Sequence, residues 1–173
     1  MFAFCLHIET NQMGLEKRDR LTDLKLDAAR RQLGTALALF IHDRDPISVH
    51  TLASAGSELI EHVAKKLGAA PFTSHMLEEN PHLSMKKLRT VQRQYYNAFK
   101  HATALNGEER ADEETLTAFD DEKNDAILFI GWRDYGSTNL PLPIEAQILE
   151  FWFIAKHPEK LSEAHSFETF AEF

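Results

Sequence analysis

Apolar positions recur at helical spacing along almost the whole chain. Between Leu21 and Ile41 they fall at Leu26, Ala29, Leu33, Ala36, Leu37 and Phe40, steps of three or four that line one face of a helix. Asp45-Pro46 then supplies an N-cap followed by proline at the first helical position. The helix it opens is predicted to run to about Leu67, with Leu52, Ala55, Leu59, Ile60, Val63 and Leu67 inward and Gly68 as its stop. A third helix is predicted from Ser84 to about Ala104, burying Met85, Leu88, Val91, Tyr95, Phe99 and Ala102. Asp120 or Asp121 can cap a fourth, reaching about Tyr135, with Ala126, Ile127, Phe129 and Ile130 in the core. Pro143 opens a fifth, to about Lys156, whose apolar side is Ile144, Ile148, Leu149, Phe151, Trp152 and Ala155, and Pro158 ends it.

No alternating apolar–polar run predicts a strand. The expected fold is therefore all-α, an antiparallel helical bundle of five or more helices. Residues 69–83, with Pro71, Asn80 and Pro81, read as a long loop between the second and third helices, with room for a short helix. Residues 1–14 read as a loose N-terminal extension and 15–158 as the bundle. Residues 159–173 read as a tail carrying Phe167, Phe170 and Phe173, docked on the bundle or on a dimer partner.

Composition narrows the function classes. The chain has 173 residues, 43% hydrophobic and 27% charged, which suits one packed domain. A net charge of -8 excludes a general basic coat for duplex DNA or anionic lipid. No apolar run approaches the roughly 20 residues of a membrane span. The single cysteine, Cys5, excludes an internal disulfide framework and a multi-cysteine zinc site, and points to a reducing, cytoplasmic setting. The glycine patterns of nucleotide-binding loops and of the nucleophile elbow are absent, so no cofactor is expected.

The charge is unevenly placed. Residues 84–104 carry five Lys or Arg and no acid, +5, whereas 108–125 carry nine acids and two bases, -7. Within the basic helix, Arg93, Asn97 and His101 are spaced i, i+4, i+8 and share a face, with Lys100 beside it. Arg offers a planar fork to phosphate, Lys a point charge and His a proton-transfer group. The alternative is a solvated helix face paired with nearby carboxylates, the acidic segment being the simplest partner.

The string Tyr95-Tyr96-Asn97-Ala98-Phe99-Lys100-His101, on the third long helix of an all-helical chain, resembles the motif region of the HEPN superfamily. That family consists of helical bundles, often dimeric, and many members are metal-independent RNases. Its signature is an Arg, then a polar residue such as Asn, then a His. Asn97 and His101 match, while Tyr96 stands where the Arg is expected and Arg93 is the nearest arginine. The resemblance implies a bundle over about residues 20–157. It also implies a site of His101 as general acid or base, Arg93 and Lys100 on phosphate, and Asn97 orienting the backbone. A dimer would bring two such helices together.

Two other clusters carry the side chains of metal ligands. His50, Ser54, Glu58 and His62 step by four along one helix, which fits either a metal face or an outer polar face with a Glu58–His62 pair. The acidic segment fits either a cation site or a solvated loop, without EF-hand spacing. The expectation is no metal. Three readings follow. The first is a HEPN-like protein with RNA-binding or RNase function and an altered motif. The second is a non-catalytic dimeric interaction module. The third is a carboxylate and histidine metal-binding bundle. A homodimer is expected, with RNA or protein as further partner and no membrane.

Overall fold

The computed structural model describes residues 19–158, and over them the chain is helical. Seven helices follow in order: α1 Arg20–Ile41, α2 Pro46–Lys66, α3 Phe72–Glu79, α4 Met85–Lys100, α5 Glu113–Thr117, α6 Lys123–Ser137 and α7 Ile144–Lys156. Among the described residues the sole β pairing is an isolated antiparallel bridge between Thr103 and Glu109. No described helix is long and apolar enough to cross a membrane. The extension at 1–14 and the Phe-containing tail at 159–173 lie outside the described residues, as does Cys5.

The starts of α1, α2 and α4 are capped by side chains that take up amides otherwise left without partners. Asp19 accepts from the Thr22 amide at 2.8 Å and Asp45 from the Ser48 amide at 3.0 Å. Ser84 accepts from the Lys87 amide at 3.2 Å. Beyond the end of α2, Gly68 adopts φ +80°, the left-handed turn that suits glycine.

The α2 helix is central, packing most extensively against α1 and α6 and also against α4. Its position explains why its expected inner face is displaced. Leu52 and Leu59 are only half-buried, while Val49, Ala53, Ile60 and Val63 enter the main core and His50, Ser54, Ser57 and Glu61 are buried too. A helix covered on several sides has more than one inner stripe. Close approach is set by Leu33 of α1, which is fully buried between two glycines. A Cβ at Gly56 of α2 would lie 2.8 Å from Leu33 Cγ, and one at Gly131 of α6 would lie 2.5 Å from Leu33 Cδ2.

The long loop at 69–83 holds the short helix it has room for, α3, whose Phe72 amide donates to Asp134 of α6 at 2.7 Å. Three further departures from the sequence reading are local. The acidic stretch holds the short helix α5. α4 ends at Lys100 rather than Ala104, because His101 turns extended (φ -121°, ψ 115°) into the Thr103–Glu109 bridge. Gly107, at φ +83°, closes that turn. Finally, α7 buries Ala146, Leu149 and Phe153, not its larger apolar side. Phe153 stacks on Phe129 with ring centres 4.2 Å apart, while Ile144, Ile148, Phe151 and Trp152 stay exposed. The C-terminal end of α7 is pinned by buried Asp125, which accepts from Lys156 Nζ at 2.7 Å and contacts His157 Nε2 at 3.0 Å.

Candidate functional site

α4 lies against α2 through charged side chains at its middle. Arg89 Nη2 donates to Glu61 Oε1 at 3.0 Å, and Arg93 Nη2 meets Glu58 Oε1 at 3.3 Å. The partners of Arg89 and Arg93 are thus α2 carboxylates, not the acidic segment that was the simplest candidate. That segment neutralises its own bases: Arg110 pairs with Asp112 at 2.5 Å, and Lys123 with Asp120 at 3.6 Å. A helix packed beside α2 reaches its carboxylates at side-chain distance, whereas Asp112 and Asp120 meet bases of their own segment.

The expected site residues fall into two groups. Arg93 and Tyr96 line a small cavity of about 30 Å³ together with Glu61, Thr73 and Asp134. Tyr96 is buried, and Lys100 Nζ sits 5.0 Å from its ring centre. Asn97 is half-buried, and its carbonyl accepts from the His101 amide at 3.0 Å. His101 is exposed, one residue beyond the helix. The expected i, i+4, i+8 face therefore stops at Asn97, and His101 leaves it where the helix ends.

Sequence reasoning missed the buried charge beside these residues. Glu61 Oε1 accepts from Lys65 Nζ at 2.5 Å, Thr73 Oγ1 at 2.9 Å and Arg89 at 3.0 Å. Burial pushes the Glu61 carboxyl up, but the Lys65 and Thr73 hydrogen bonds and the Arg89 charge outweigh it and hold it below its ordinary value. Asp134 goes the other way. It is 2% exposed. Burial, reinforced by the Glu61 charge, raises its carboxyl from 3.8 to about 7 against the Phe72 amide bond. The only signal in the sequence was a carboxylate placed in an otherwise apolar helical stripe.

His50 was read as part of an outer polar face and is instead 3% exposed. Its Nδ1 lies 3.1 Å from Asn124 Oδ1, and Asn124 Nδ2 donates to the Pro46 carbonyl at 3.1 Å. Ser54 is buried as well, Glu58 turns to Arg93 rather than His62, and His62 is exposed. The four residues do not converge. Among the described residues no group of three or more His, Cys, Asp or Glu is arranged to hold a metal ion.

No family model matches the chain, and neither a curated protein nor a solved structure shows significant similarity to it.

Proposed function

We propose that the chain is a non-catalytic interaction module, an antiparallel helical bundle that pairs with a second copy of itself through α7. The observation that carries this reading is the exposed apolar face of that helix. Ile144 is 62%, Ile148 60% and Phe151 74% exposed, with Trp152 and Ile154 beside them. Such a contiguous apolar row exceeds what single surface residues account for. Ile144, Ile148, Phe151 and Ala155 follow a 4-3-4 spacing, the repeat by which two helices pack side by side. An antiparallel pair about a two-fold axis also brings the Glu145 end of one helix to the Lys156 end of the other.

Light scattering of the full chain, with circular dichroism alongside, tests this. The wild type is expected to be dimeric at micromolar concentration. Ile148→Glu with Phe151→Glu is expected to be monomeric with unchanged helix content. A monomeric wild type, or a double variant that remains dimeric, would overturn the proposal.

The HEPN-like RNA reading comes second. Exposed Lys100 and His101, adjacent at the end of α4, support it. Arg93 held by Glu58, and Tyr96 buried where an arginine would be required, weigh against cleavage.

A further inference from the structure

A groove of about 510 Å³ lies between the end of α1, the start of α6 and α7. Much of its lining is apolar. Leu37, Phe40 and Ile41 come from α1, and Ile148, Leu149 and Trp152 from α7. Phe40 and Trp152 meet edge to face, with ring centres 5.6 Å apart. Ile41, Ile148 and Trp152 are exposed, so this apolar surface is open to solvent.

The charge around it is one-sided. Five carboxylates line the groove, Asp43, Asp121, Glu122, Asp125 and Glu145, against one base, Lys156. Asp125 is buried and takes up that base, accepting from Lys156 Nζ at 2.7 Å. The other four carboxylates are exposed, and among the described residues none of them forms an ion pair. The Lys156 ammonium also sits 4.9 Å from the Trp152 ring centre. The groove thus already holds one amine between a carboxylate and an aromatic ring, where a cation gains from both.

We propose that this groove docks an amphipathic basic segment of a partner protein. Its apolar residues lie on Phe40, Ile41 and Trp152, and its Lys or Arg side chains meet Asp43, Asp121, Glu122 and Glu145. Charge complementarity selects this occupant. Carboxylates without a countercharge steer a basic partner and fix its register, while the apolar lining supplies affinity. A bare cation leaves the apolar lining in water. The chain's own residues 159–173 carry four Glu and one Lys, the wrong sign for these carboxylates. The groove borders the α7 row proposed for self-pairing and shares Ile148 with it, but Ile41, Asp43, Asp121 and Glu122 lie outside α7. The two surfaces are therefore separable by mutation.

An amphipathic Leu/Lys peptide of two heptads serves as probe, titrated into the full chain and followed by NMR of the ¹⁵N-labelled indoles. A Leu/Glu counterpart removes the charge match and a Ser/Lys counterpart the apolar match. The Leu/Lys peptide is expected to bind saturably, one per chain, about tenfold or more tightly than the Ser/Lys peptide, and the Leu/Glu peptide not to bind. The Trp152 indole signal is expected to move, and that of fully buried Trp132 to stay. Asp43→Asn, Asp121→Asn and Glu122→Gln combined are expected to weaken binding about fivefold or more, as is Ile41→Ser alone. Glu109→Gln, Glu113→Gln and Glu114→Gln combined, which remove as much charge away from the groove, are expected to leave it unchanged. All these positions are exposed, and circular dichroism confirms that each variant keeps its helices. Absence of saturable binding, equal affinity for the Ser/Lys peptide, a stationary Trp152 signal, or equal loss in the two triple variants would overturn the proposal. So would a wild-type chain that ignores the peptide and whose mass in solution falls with Ile41→Ser, because a second copy then fills the groove.

Discussion

The two sides of α2 are built on different chemistry. Toward α1 and α6 the contact is apolar and filled, with Leu33 seated where Gly56 and Gly131 leave no room for another methyl group. Toward α4 the contact combines ion pairs, Arg89–Glu61 and Arg93–Glu58, with two small cavities. Dense apolar packing specifies one arrangement because any change of volume is felt. The half-exposed Arg93–Glu58 pair adds little net stability, but it places charge and tolerates space. The same helix thus serves as the fixed centre of the fold on one side and as the wall of the candidate site on the other.

The filled side should give the largest response. Leu33→Ala removes a fully buried side chain and is expected to lower stability by about 2–5 kcal/mol, read by urea denaturation. Gly131→Ala tests the same contact from the opposite direction. In an ordinary helix interior that change stabilises by about 0.5–1 kcal/mol, but here the new methyl meets Leu33 and Ser57 Oγ, each 2.5 Å away. It should destabilise by about 1–3 kcal/mol and do so less in the Leu33→Ala background. Additive effects would mean that the two residues do not share one space.

This division was only partly legible in the sequence. The α1 stripe of Leu26, Ala29, Leu33, Ala36 and Leu37 was read correctly, because a helix covered on one face writes a single 3.6-residue pattern. α2 did not, since burial on several sides mixes stripes and admits His50, Ser54 and Glu61 among the apolar residues. α7 misled for the opposite reason. Most of its apolar residues mark an exposed face, and the buried stripe runs through Ala146, Leu149 and Phe153. Of the candidate site, the residues of α4 were visible in its charge, but their partners were not. Glu58 and Glu61 lie about 30 positions earlier in the chain, and no local pattern couples them to Arg93 and Arg89. His101 was misplaced because the chain turns extended there into the Thr103–Glu109 bridge, which ends the helix before the Asn106-Gly107 signal.

The second response should depend on pH and arises where α6 meets both sides. Asp134 holds its proton up to about 7 in the fold, against 3.8 as the ordinary value. The raised value means that the folded chain binds this proton more tightly than the unfolded one. The associated stability is complete below about pH 4 and is lost as pH rises through about 7. Asp134→Asn keeps an oxygen for the Phe72 amide but removes the ionisation. It is expected to be more stable than wild type above neutrality, by an amount on the order of a few kcal/mol, and to flatten the dependence between about pH 5 and pH 8. Denaturation midpoints across that range provide the check. Parallel profiles for the two proteins would place the Asp134 pKa outside the window and show the carboxylate to be solvated.

The smallest response is expected at the α4 seam itself. Arg93 and Glu58 keep 31% and 48% of their side-chain surface exposed, and their closest approach is 3.3 Å. Water and salt screen such a pair, and ordering two long side chains opposes the attraction. Arg93→Ala should therefore cost no more than about 1 kcal/mol, and a double-mutant cycle with Glu58→Ala should give a coupling of about 0.2–1 kcal/mol that shrinks with added salt. A coupling of 2 kcal/mol or more, insensitive to salt, would break the contrast between the two sides of α2. It would make the Arg93–Glu58 contact a bolt comparable with Leu33, and a guanidinium held that firmly could not turn to a phosphate. A small coupling leaves Arg93 free to exchange Glu58 for another anion at little cost. The same measurement therefore bears on the RNA reading: the weaker the pair, the more accessible the cation that the altered motif would need.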